Sequence, residues 1–90
     1  MEIKMNPETI RDIVLSMIKD ERESQELLWD DSNHDDGMFY KLFFEEFGEL
    51  SKELLENNTG NAIIELNQAI AVLVAWQEQL YSEYMKEALE

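Results

Sequence analysis

The eight residues AIAVLVAW, 69–76, are apolar without interruption. Wound into a helix, they present an apolar surface on every side, which in water requires burial all round. Eight residues fall far short of the roughly 20 that cross a bilayer, so the cover must be protein. Any fold for this chain has to place this helix inside others.

Breakers are scarce, three Gly and one Pro, and their positions divide the chain into three helical stretches. Asn6 ahead of Pro7 supplies an N-cap oxygen and a first-turn residue whose missing N–H costs nothing, so a first helix is expected from about Pro7. Its apolar stripe is Ile10, Ile13, Val14, Met17 and Ile18. The same stripe continues through Glu21, Gln25 and Leu28, so a carboxylate stands where the pattern asks for a hydrophobe. WDDSNHDDG, 29–37, reads as a loop. A second helix from about Met38 carries Phe39, Leu42, Phe43, Leu50 and Leu54 on its apolar face, with Glu46 in the middle of it and Glu49 and Glu53 along one edge. NNTGN, 57–61, reads as a stop and turn, and a third helix is expected from about Asn61 to Tyr84. The expected fold is therefore all-α, one domain over residues 1–90, with three main helices of which the C-terminal one is buried.

Charge narrows the function. With 21 acidic against 7 basic residues the net charge is −14, which repels a phosphate backbone and argues against nucleic-acid binding. A hydrophobic fraction of 44% is still that of a folding chain. There is no cysteine, hence no disulfide or thiolate metal site. MEIKMNPETI lacks a basic segment leading into an apolar run, so a cytoplasmic protein without membrane association is expected.

The chemistry on offer is carboxylate chemistry. Glu46 and Glu49 form an ExxE step, and Glu65 lies beyond a short turn on the next, antiparallel helix. Counted from Asn57 and Gly60, a strict hairpin sets Glu65 opposite Glu53; a stagger in the loop or an exchanged helix would bring it to Glu46. Taken singly, each glutamate reads as a boundary residue whose end reaches water. Three inward-looking acids on three helices, Glu21, Glu46 and Glu65, read instead as a polar or metal site, because clustered carboxylates stay ionised only beside a cation. Magnesium suits such a set, since it takes hard oxygen ligands and is shared with phosphates.

Other constellations fall short. Asp31, Asn33 and Asp35 match the first positions of an EF-hand loop, but Asp36 replaces its turn glycine and Leu42 its bidentate glutamate. His34 is the sole histidine, reads as a solvated loop side chain, and cannot form a two-histidine zinc site. The serines have no plausible second base, and no glycine-rich phosphate loop is present. Arg22 and Lys52 are candidate phosphate contacts, although the helical wheel turns both away from the apolar stripes.

The strings ERESQELLWDDSNH, FFEEFGELSKELLE and AIIELNQAIAVLVAWQEQL together resemble the MazG-like branch of the all-α NTP pyrophosphohydrolases, over about residues 20 to 80. That family carries ExxE, then ExxD after a short spacer, and these acids hold magnesium ions that bridge the triphosphate. Glu46 and Glu49 match the first pair and Glu65 the start of the second; Gln68 stands where the family usually has Asp. The string with Glu21, Arg22, Gln25 and Trp29 resembles a segment of phage-type and related small members. The resemblance implies magnesium, or manganese, held by Glu46, Glu49 and Glu65, with Gln25 and Gln68 toward the nucleotide or a metal-held water. It also implies that Glu21 and Glu46 serve catalysis on an NTP or dNTP substrate. It further implies a homodimer or homotetramer built as a helical bundle.

Two other readings compete. Gln68 supports a catalytically degenerate oligomerisation or nucleotide-binding module. The charge of −14 alone supports an acidic mimic of nucleic acid that occupies a basic partner. Surface arithmetic also calls for self-association, since two single-stripe helices cannot wrap residues 69–76. Ala71 and Ala75 would let a symmetry mate approach, with Val72, Ala75 and Trp76 in the shared core.

Overall fold

The computed structural model describes residues 5–29 and 34–90. It contains three helices, α1 (Pro7–Leu28), α2 (Asp36–Leu55) and α3 (Thr59–Leu89). Each starts at a side-chain cap of the kind the sequence offers. Asn6 Oδ1 accepts from Glu8 N–H at 2.8 Å, Asp35 Oδ1 from Met38 N–H at 2.8 Å, and Asn58 Oδ1 from Asn61 N–H at 3.1 Å.

Two of these caps move a boundary. Asp35 starts α2 two residues before the expected Met38 and puts Gly37 in the first turn. Asn58 does the same for α3, which begins at Thr59 and takes in Gly60. Neither glycine has a positive φ; the left-handed residue of the α2–α3 turn is Asn57, at φ 58°. Around it the Asn58 N–H bonds the Glu53 carbonyl and the Asn57 N–H the Leu54 carbonyl, the paired pattern that closes a helix C-terminus. At the far end α3 runs to Leu89 rather than stopping at Tyr84.

Packing is centred on α3. Both α1 and α2 lie against it, and among the described residues they do not pack on each other. The described residues span 58 × 29 × 20 Å, so the shortest dimension is about two helix diameters and α3 has no complete cover. The buried hydrophobic residues are Phe39 and Leu50 from α2, and Ala62, Ala69, Ala71, Val72 and Ala75 from α3. Phe39 stacks on Trp76 with ring centroids 6.0 Å apart, and Trp76 Nε1 donates to Asp36 Oδ1 at 2.7 Å.

Two expectations are corrected here. The α1 stripe is not a core stripe along its length: Ile10, Ile13 and Val14 are exposed, Met17 and Ile18 half-buried. The residue that α1 buries is Gln25, whose Nε2 donates to the Gln68 carbonyl at 3.3 Å. Residues 69–76 are only partly enclosed, with Leu73 39% exposed, as expected of a helix that two single stripes cannot wrap. Ala71, Val72 and Ala75 are buried within the chain itself, so they have no surface to offer a symmetry mate. Among the described residues no helix is long and apolar enough to cross a membrane.

Candidate metal centre

The α2–α3 turn fixes the register of the acids. Glu49 lies six residues before the end of α2 at Leu55, and Glu65 six after the start of α3 at Thr59, so the two are level. Glu46 and Gln68 each stand one turn further from the loop, again level. The hairpin count that set Glu65 opposite Glu53 ended α2 two residues late, at Asn57 rather than Leu55, and began α3 two residues late. With the Asn58 cap in place, no stagger or exchange is needed.

Glu46, Glu49 and Glu65 consequently converge, each offering a carboxylate oxygen within 4.8 Å of the others. Glu46 and Glu65 are half-buried and Glu49 is exposed, so the cluster has one face toward water. The Gln68 amide is assigned with Nε2 toward the acids, where it donates to Glu46 Oε2 at 2.9 Å and to Glu65 Oε2 at 3.0 Å. A neutral donor therefore bridges the two carboxyl groups.

Burial is the main reason the Glu46 carboxyl is raised from 4.5 to about 7. The charges of Glu49 and Glu65, a hydrogen bond to Glu65 and the charge of Glu21 push the same way. Glu65 is raised as well, first by burial, then by its hydrogen bond to Glu49 and the charges of Glu49 and Glu53. At about 7, the Glu46 carboxyl holds its proton up to near neutral pH unless a cation replaces it. Three hard oxygen donors with one open side fit a magnesium or manganese ion that keeps waters or takes phosphate oxygens.

The remaining site candidates fall into place around this cluster. Glu21, on α1, is near enough for its charge to act on Glu46 but lies outside the group whose oxygens converge. Gln25 is buried against the α3 backbone at Gln68, and its Oε1 has no partner. Glu53 belongs to the same acidic run: it is half-buried, its Oε2 is unpaired, and its charge reaches Glu65. Its position one turn after Glu49 is the signal that could have added it to the site.

Arg22 is not a free phosphate contact. Its Nε and Nη2 donate to Glu78 at 3.2 and 3.1 Å, Glu26 pairs with it as well, and the guanidinium lies over Trp29, 5.7 Å from the ring centroid. The wheel that turned Arg22 toward solvent missed this, because α3 covers that side of α1. Lys52 is exposed near the end of α2. His34 is half-buried rather than fully solvated; its ring packs edge-on between Trp29, at 4.7 Å, and Phe39, at 5.3 Å. Of the calcium-like residues, Asp35 is occupied as the α2 cap, and Asp31 and Asn33 lie outside the described residues. No family model, curated protein or solved structure matches the chain.

Proposed function

We propose that the chain is a magnesium-dependent nucleoside triphosphate pyrophosphohydrolase of MazG-like type, converting an NTP or dNTP and water to the monophosphate and pyrophosphate. The observation that carries this reading is the convergence of Glu46, Glu49 and Glu65 from two helices onto one open-faced site. Glu46, Glu49 and Glu65 would hold magnesium, which supplies Lewis-acid neutralisation of the triphosphate charge when bound. Glu49, on the exposed side, faces incoming phosphate. Glu21, set back from the ligand group, would accept a hydrogen bond from the attacking water and orient it. Gln68 presents its amide hydrogens to the acids in the metal-free site; turning the amide presents Oε1 instead, a neutral oxygen where an Asp would add a fourth charge. Gln25 would fix α1 against α3 at that level. The reading includes a cytoplasmic homodimer or homotetramer.

A pyrophosphate-release assay over a panel of NTPs and dNTPs, with magnesium or manganese, tests it. Turnover that disappears in Glu46→Gln supports the enzyme. An inert wild type that gains turnover in Gln68→Asp supports the second reading, a degenerate nucleotide-binding or oligomerisation module, which the Gln68 position favours. Inertness in both overturns the enzymatic proposal.

A further inference from the structure

Glu21 reaches the acid cluster from a helix that α2 does not hold. Among the described residues α1 packs on α3 and not on α2; Trp29, its C-cap, meets Phe39 of α2 at 6.2 Å, about two turns beyond Glu21. Where Glu21 stands relative to Glu46 therefore depends on how the body of α1 is fastened to α3. Apolar packing fastens it loosely. Ile10, Ile13, Val14 and Leu15 are exposed, and Leu15, Ile18 and Val74 line a groove of about 570 Å³ left between the two helices.

Arg22 and Glu78 span that groove. The Arg22 Nε and Nη2 donate to the two carboxylate oxygens of Glu78 at 3.2 and 3.1 Å, a bidentate fork that fixes geometry as well as adding energy. The Arg22 side chain is only 13% exposed, its guanidinium lies over the Trp29 ring, and its remaining nitrogen, Nη1, is buried without an acceptor. An ordinary surface pair keeps its guanidinium in water; this one is held out of it. The neighbouring tie, from Gln25 Nε2 to the Gln68 carbonyl, is a neutral bond of 3.3 Å and the weaker of the two.

We propose that the Arg22–Glu78 fork is a positioning clasp, which sets α1 on α3 so that the Glu21 carboxylate stands beside the cluster of Glu46, Glu49 and Glu65. Arg22 touches neither cation nor phosphate and acts through Glu21, its neighbour in the chain. The placement of α1 is independent of the metal reading above; its consequence, that opening the clasp weakens cation binding, rests on that reading.

Glu78 allows the clasp to be opened from outside the site. It is 52% exposed and ten residues beyond Gln68, about 15 Å along the helix, past the range at which its own charge is felt in physiological salt. Glu78→Lys opens the fork by repulsion from Arg22, and Glu83→Lys, the same change of charge further along α3, is the control.

The chain has no cysteine, so spin labels on Ser24→Cys in α1 and Lys52→Cys in α2, both exposed, report the spacing of the two helices without any metal. The expected result is a distance distribution that shifts or broadens in Glu78→Lys and stays as it was in Glu83→Lys. Calorimetry with magnesium alone then follows Glu21→Gln in both backgrounds. Losing the Glu21 charge should weaken binding about three- to tenfold in the clasped protein, Glu78→Lys should weaken it by a similar factor, and the two together by no more than either alone. An unchanged label distance in Glu78→Lys overturns the clasp, as does a Glu21→Gln penalty of equal size with the fork open and closed. If the unmodified protein binds no magnesium, the metal reading fails, and the label distances decide the placement of α1 by themselves.

Discussion

Metal-free protein is expected to lose stability as pH rises from 5 to 8, and magnesium to restore it. The sign follows from Glu46, whose carboxyl is raised from 4.5 to about 7 in the fold, first by burial and then by neighbouring acids. Below the unfolded value both states are protonated and the residue costs nothing. As pH climbs, the unfolded chain releases its proton first and is favoured; above about 7 the folded site is ionised too, and the loss is complete. A displacement of that size corresponds to at most about 3 kcal/mol. Water on the Glu49 side screens it to about 1–2 kcal/mol. For a domain this small that is a fall of roughly 5–15 °C in melting temperature. Melts at pH 5 and pH 8, in chelator and in millimolar magnesium, at one protein concentration, measure it, with Glu46→Gln as the control that lacks the titrating group. A wild-type melting temperature that changes with pH no more than that of Glu46→Gln would refute the reasoning, as would magnesium acting no better than sodium at equal ionic strength.

Other substitutions probe the same geometry. Glu46→Leu replaces a half-buried acid in the apolar face of α2; at pH 8 the metal-free protein should be unchanged or up to about 2 kcal/mol more stable by urea titration, and magnesium should no longer stabilise it. A strongly destabilised variant would instead mark Glu46 as a satisfied structural partner. Gln68→Asp removes the donor that ties Glu46 to Glu65, so it should lower the metal-free melting temperature and raise magnesium affinity about tenfold by calorimetry; unchanged affinity would place Gln68 outside the ligand set. Ala75→Glu sets a charge at a position only 3% exposed and should abolish helicity by circular dichroism; a folded, dissociated monomer would return Ala75 to an intersubunit surface.

The all-helical architecture was legible in the sequence because caps and stripes agree: Asn6 before Pro7, and one apolar face on α2. Boundaries were less so. Gly60 reads as a stop, yet Asn57 takes the left-handed turn and Asn58 the cap, and the earlier end of α2 together with the earlier start of α3 decides which acids meet. The acids themselves were found by residue type and spacing, since a glutamate at the centre of an apolar face is conspicuous. Periodicity could not tell which apolar face the chain itself would use. Ile10 and Ile13 have the spacing of core residues but remain exposed, whereas Gln25 and the Arg22 side chain are covered by α3. His34 lies in polar sequence, and only the tertiary meeting of Trp29 and Phe39 gives its ring a place.

A crystal structure with magnesium and a non-hydrolysable dNTP tests the central claim most directly. The account predicts a metal ion about 2.1 Å from carboxylate oxygens of Glu46, Glu49 and Glu65, with the triphosphate on its open side. A triphosphate bound elsewhere, or the three carboxylates bare at saturating magnesium, would contradict it.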